Sequence, residues 1–143
     1  MVPAEPDAIG PLRRQLRRWA RRQGAPAAVQ ANVALAFSEA CTAVIGPAPS
    51  DARRGGPLIL EAWTAGDELR VRVSHRSRGT REPSAGMGYG FALALIAQVC
   101  DDFEVRRRED RPGTAFEMSF SLERAPEPAR SSPLRPSRST PRR

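Results

Sequence analysis

Gly86-Met87-Gly88-Tyr89-Gly90-Phe91-Ala92-Leu93-Ala94-Leu95-Ile96 joins three alternating glycines to an apolar run. The run, residues 90–99, is apolar on nearly all sides and reads as the most buried helix of a domain, with Phe91 among its large anchors. A helix start exposes unpaired N–H groups and a partial positive charge, and glycines let an anion approach the backbone closely. Gly86, Gly88 and Gly90 therefore form a turn built like a site for nucleotide phosphates. The turn follows a loop and not a strand, so it does not fit the dinucleotide fingerprint.

Upstream, residues 76–87 show no periodicity and read as a mobile loop. Before it, residues 58–63 and 69–75 are β-rich and joined by Thr64-Ala65-Gly66-Asp67, which predicts a hairpin with Leu69, Val71 and Val73 on one face and the arginines on the other. Downstream, residues 102–108 and 114–122 form a second strand pair. Phe116, Met118, Phe120 and Leu122 alternate there with Glu117, Ser119 and Ser121, as in a sheet with one wet face.

Two helices precede the strands. Ile9, Leu12, Leu16 and Trp19 set a helical stripe over residues 9–23, with Pro11 suited to a first turn, Gly24 following the end, and Arg13, Arg14, Arg17, Arg18, Arg21 and Arg22 flanking the stripe. Over residues 27–45, Val29, Val33, Ala36, Phe37, Ala40 and Val44 share one side, and Glu39 and Ala43 lie together on its flank. Residues 46–57, rich in Gly, Pro, Ser and Arg, read as a loop. The expected architecture is an α/β (α+β) two-layer sandwich, three helices on one face of a mostly antiparallel mixed sheet.

The chain has 143 residues, room for one domain, placed at 1–122 with a Pro/Ser/Arg-rich tail at 123–143 expected to be disordered. The formal charge of +7 comes wholly from arginine, since no lysine occurs, which points first to a coding bias. Residues 1–122 hold 17 arginines against 14 acidic residues, while the last 21 residues hold 6 against 2. Much of the excess is thus in the tail. Cys41 and Cys100 lie in apolar helical patterns without CxxC or metal spacing and read as buried thiols. No apolar run is read as a membrane span and no signal peptide is recognised, so a cytoplasmic protein is expected.

The order of these features resembles the ATP-binding fold shared by DNA gyrase and histidine kinases, the histidine-kinase-like ATPase (Bergerat) fold. The chain is most similar to its small stand-alone form, the bacterial anti-sigma factor serine/threonine kinases. The resemblance covers roughly residues 4–122 and rests on FSEACTAVI (37–45), VRVSHRSRG (71–79), GMGYGFALALI (86–96) and PGTAFEMSF (112–120). It implies that ATP or ADP is bound through Gly86, Gly88, Tyr89, Gly90 and Thr114, with His75 and Gly79 at the base. It also implies a homodimer whose partner is a sigma factor or an anti-anti-sigma protein. Family members carry Glu-x-x-x-Asn on a helix, the Glu as general base toward a substrate serine and the Asn as magnesium ligand. Glu39 matches the Glu, but Ala43 stands at the Asn position and has no oxygen for Mg²⁺, so no protein metal ligand is expected. The adenine motif Asp-x-Gly-x-Gly is here His75-Arg76-Ser77-Arg78-Gly79, in which only Gly79 survives.

Three readings follow. The damaged metal and adenine motifs favour a regulatory, anti-sigma-like binding protein with weak or absent kinase activity. An active kinase using Glu39 ranks second. A nucleic-acid binder using the arginine helix and tail ranks last, because the arginine excess already has a compositional explanation.

Overall fold

A computed structural model describes residues 6–45, 57–76, 87–107 and 113–123. In chain order they form helices α1 (Pro6–Arg22) and α2 (Ala27–Ile45), strands β1 (Leu58–Ala65) and β2 (Glu68–Arg76), helix α3 (Met87–Val99), and strands β3 (Asp102–Arg107) and β4 (Gly113–Ser121). The sheet runs β1-β2-β4-β3, and every pairing in it is antiparallel. The central strands β2 and β4 carry α2, which has α1 and α3 on its two sides. The expected disordered tail lies outside the described residues from 124 onward, as do 46–56 of the first expected loop and 77–86 of the second.

The two-residue alternation decides which face of the sheet is dry. Leu69, Val71 and Val73 of β2 and Phe116, Met118 and Phe120 of β4 are buried, and each β2 residue faces its β4 counterpart across the ladder. Phe37, Val33, Ala36, Ala40 and Cys41 of α2 close over them. Burying one large apolar side chain contributes about 1.5–3 kcal/mol, so this layer supplies most of the domain's stability.

The opposite face is wet and self-neutralised. Glu61, Arg72 and Glu117 lie side by side across β1, β2 and β4. Arg72 Nη2 donates to Glu117 Oε2 at 2.8 Å, its Nη1 reaches Glu61 at 3.4 Å, and its guanidinium carbon stands 5.2 Å from the centre of the Trp63 ring. The hydrogen bond to Glu117 leads in holding the Arg72 guanidinium above its ordinary pKa, against partial desolvation. Such cross-strand pairs contribute roughly 0.2–1 kcal/mol each.

Three expectations are corrected. The most buried helix is α2 and not α3: among the described side chains of α3 only Ala92 and Ile96 are buried, and Phe91, expected as a core anchor, is 67% exposed. Its apolar composition exceeds what one line of contact with α2 can cover. Pro11 sits well inside α1, past the first turn, where its ring nitrogen cannot donate to the Asp7 carbonyl. Ala27–Val44 has the length and apolar composition of a membrane span; in the fold it is the central core helix, held between α1, α3 and the sheet.

Local chemistry sets the connections. After α1, the Ala25 N–H bonds to the Ala20 carbonyl at 3.1 Å and the Gly24 N–H to the Arg21 carbonyl at 3.0 Å, with Gly24 at φ 86°; this is a Schellman ending. In the hairpin, the loop narrows to Gly66-Asp67, with Gly66 at φ 58° and Asp67 at negative φ, the type II′ pattern. Within α1, the like-charged pairs Arg13/Arg17, Arg17/Arg21, Arg14/Arg18 and Arg18/Arg22 each cost roughly 0.2–0.5 kcal/mol.

Two measurements test these statements. A Cβ at Gly24 would meet nothing within 4 Å, so Gly24→Ala is opposed only by its left-handed backbone and is expected to cost about 1–2 kcal/mol in a denaturant titration. Burial pushes the Cys41 thiol from an ordinary value of 9.0 up to about 12, and Cys100, which also bonds the Ile96 carbonyl, up to about 11. The folded chain therefore holds these protons more tightly than the unfolded one. That contribution is complete below pH 9.0 and falls away as pH rises through 11 to 12, so stability should decline over this window. At pH 8, alkylation should be slow until denaturant is added.

Candidate nucleotide site

The first element of the site is the start of α3. The helix begins at Met87, earlier than the expected 90, so Gly88 and Gly90 lie in its first turn. The N–H groups of Met87, Gly88, Tyr89 and Gly90 are then the four that an α-helix leaves without an internal partner. They converge with the helix dipole on one point, the arrangement that receives phosphate oxygens.

Tyr89 explains how this turn is held. Its ring meets Phe116 of β4 edge-on, with centroids 6.3 Å apart, and Phe116 is fully buried. The aromatic contact pins the first turn of α3 to the sheet. Tyr89 is thus held at the start of α3 by packing. Gly90 has no such role: a Cβ there would meet nothing within 4 Å, and its φ is not in the left-handed region. Neither packing among the described residues nor backbone conformation calls for a glycine, yet glycine costs a helix about 1 kcal/mol relative to alanine.

The second element is the end of the sheet beneath that turn. His75 of β2 and Thr114 of β4 are opposite each other in the ladder, one step beyond the buried pair Val73 and Phe116 on the same face. Both are half-buried and on the helix side. The register therefore brings together two residues that are far apart in sequence. Gly79 and Gly86, the other expected ligand residues, lie outside the described residues, as does Ser77.

The third element is α2. Glu39 is half-buried on the flank of the buried Ala36, Ala40 and Ala43, and it makes no hydrogen bond or ion pair among the described residues. Ala43, one helical turn further on, is 7% exposed and ends in a methyl group. Mg²⁺ needs oxygen ligands in near-octahedral array, and a buried methyl supplies none. No group of three or more His, Cys, Asp or Glu suited to a metal occurs among the described residues. Among the described residues, the start of α3 offers backbone donors suited to phosphates, and position 43 offers no oxygen to a metal ion.

The family model of the histidine kinase-like ATPase domain matches residues 2–120, and the chain belongs to that family. The three helices over an open antiparallel sheet are its fold. No curated protein matches the chain with significance. Membership makes this an ATPase-type, nucleotide-binding domain.

Gly90→Ala separates the structural from the functional role of the turn. In thermal or denaturant unfolding it should gain up to about 1 kcal/mol. In an ATP titration it should lose about tenfold in affinity, equivalent to one weakened hydrogen bond to a charged group at roughly 1.5 kcal/mol.

Proposed function

We propose that this protein is an anti-sigma-like regulator of bacterial transcription, acting in the cytoplasm by holding a sigma factor or an anti-anti-sigma partner, with a nucleotide cleft that binds without phosphorylating. The observation that carries this reading is Ala43: a buried methyl occupies the position next to Glu39 from which the family supplies its metal ligand. Phosphoryl transfer depends on positioning and charge neutralisation of the γ-phosphate, and the metal provides much of both. A helix start alone retains affinity for the phosphates without completing that arrangement. His75 in place of a carboxylate further weakens adenine reading, since a ring nitrogen offers at most one acceptor to the amino group.

A second reading, an active serine/threonine kinase, draws on Glu39. A half-buried carboxylate without a partner among the described residues is suited to accept a hydroxyl proton from a bound substrate. The lost metal ligand ranks this reading second.

Calorimetric titration of ATP and ADP with and without Mg²⁺ distinguishes the two. A binding regulator should take nucleotide with an affinity that Mg²⁺ changes by less than about twofold, because no side chain here couples the metal to the fold. Wild type should transfer no label from ATP to an anti-anti-sigma protein, while the Ala43→Asn, His75→Asp, Ser77→Gly variant should regain transfer. Transfer by wild type overturns the inactive assignment.

A further inference from the structure

Arginines of the sheet and of α1 differ in their surroundings. On the open sheet face, Arg70 meets Glu68 and Glu117, Arg72 meets Glu61 and Glu117, and Arg106 meets Glu104, all within ion-pair distance. On α1, Arg13, Arg14, Arg17, Arg18, Arg21 and Arg22 make no ion pair among the described residues. A coding bias toward arginine supplies both populations equally, so it does not explain why only one lacks counter-charges. The helix dipole favours Arg21 and Arg22 in the last turn of α1, but not the four arginines before them.

The charge is also segregated. Helix α1 holds six arginines and one acid, Asp7 in its first turn. The other described residues hold nine acidic residues against five arginines. Among the described residues the basic charge is thus concentrated on one helix, a strip that matches a short acidic segment in sign and width.

Shape points the same way. Where α1 meets α2, Arg14, Arg17, Arg18, Arg21 and Gln30 line a hollow of about 260 Å³. Gln30 is fixed there by a 2.9 Å bond from its Nε2 to the Ala25 carbonyl. A second hollow, of about 550 Å³, shares Arg14 and Arg18 and adds Trp19 and Pro11. Trp and Arg together are the residue types that dominate protein–protein hot spots. The apolar edge that a membrane-lying helix would insert is turned inward, with Leu16 and Ala20 in the core.

We propose that the arginine face of α1 is the docking surface for an acidic helical segment of a protein partner. The columns Arg13/Arg17/Arg21 and Arg14/Arg18/Arg22 repeat every fourth residue, the spacing at which carboxylates line one face of an opposing helix. An apolar residue between those carboxylates seats against Trp19. The inference deepens the partner-binding reading and rests on it.

The test uses the full chain and a fluorescein-labelled helical peptide as long as α1, 17 residues, with Glu at every fourth position and Leu between. Fluorescence anisotropy should show binding that weakens with salt and falls about tenfold or more for the Arg14→Gln, Arg18→Gln variant, with ATP affinity and circular dichroism unchanged. The Arg14→Glu, Arg18→Glu variant should prefer a peptide carrying Lys in place of Glu. Equal binding of a Gln-for-Glu peptide, equal binding by the Arg14→Gln, Arg18→Gln variant, or tighter binding of DNA of the same length overturns the proposal. Because ATP titration reports on the cleft separately, loss of the docking surface and failure of the nucleotide-cleft reading give different results.

Discussion

The packing of α2 on the central strands β2 and β4 is the constraint on which the rest of the structure depends. Phe37, Ala40 and Cys41 on one side and Leu69, Val71, Val73, Phe116 and Met118 on the other form a layer without polar side chains. Because α1 and α3 flank α2, each reaches the sheet chiefly by way of that helix. Shortening the fully buried Phe37 to alanine would open a cavity in this layer, at a cost of the order of 3–5 kcal/mol. The alanines of α2 matter as much as its large residue, since small side chains let the helix approach the sheet closely.

That close approach fixes the candidate site. Glu39 lies on the flank of the same alanine row that seals the core, so its position is set by Ala36, Ala40 and Ala43. Ala43 belongs to the same hydrophobic layer. The start of α3 depends on a different contact, the edge-on packing of Tyr89 against Phe116. The start of α3 and the Glu39 flank of α2 are thus held by separate interactions.

Charge follows a similar division. The sheet balances its arginines internally through Glu61, Glu68, Glu104 and Glu117, whereas α1 leaves six arginines facing outward. Repulsion within α1 is tolerated because Leu16 and Ala20 anchor it to the core. Burial on one side of a helix thus offsets a charge pattern on the other that would oppose helix formation in isolation.

The sequence by itself determined the element order, the hairpin, the dry and wet faces of the sheet and the family resemblance. These depend on two-residue and 3.6-residue periodicities and on short motifs, all local properties. That Glu39 and Ala43 share one flank of α2 was legible for the same reason. Tertiary structure alone decided that Phe91 is exposed, that Pro11 is carried inside α1, that Tyr89 packs on Phe116 and that His75 faces Thr114. Each of these depends on which distant segment lies alongside. An apolar composition does not say how much of a helix its neighbours can cover, and strand register is fixed only when the whole sheet forms.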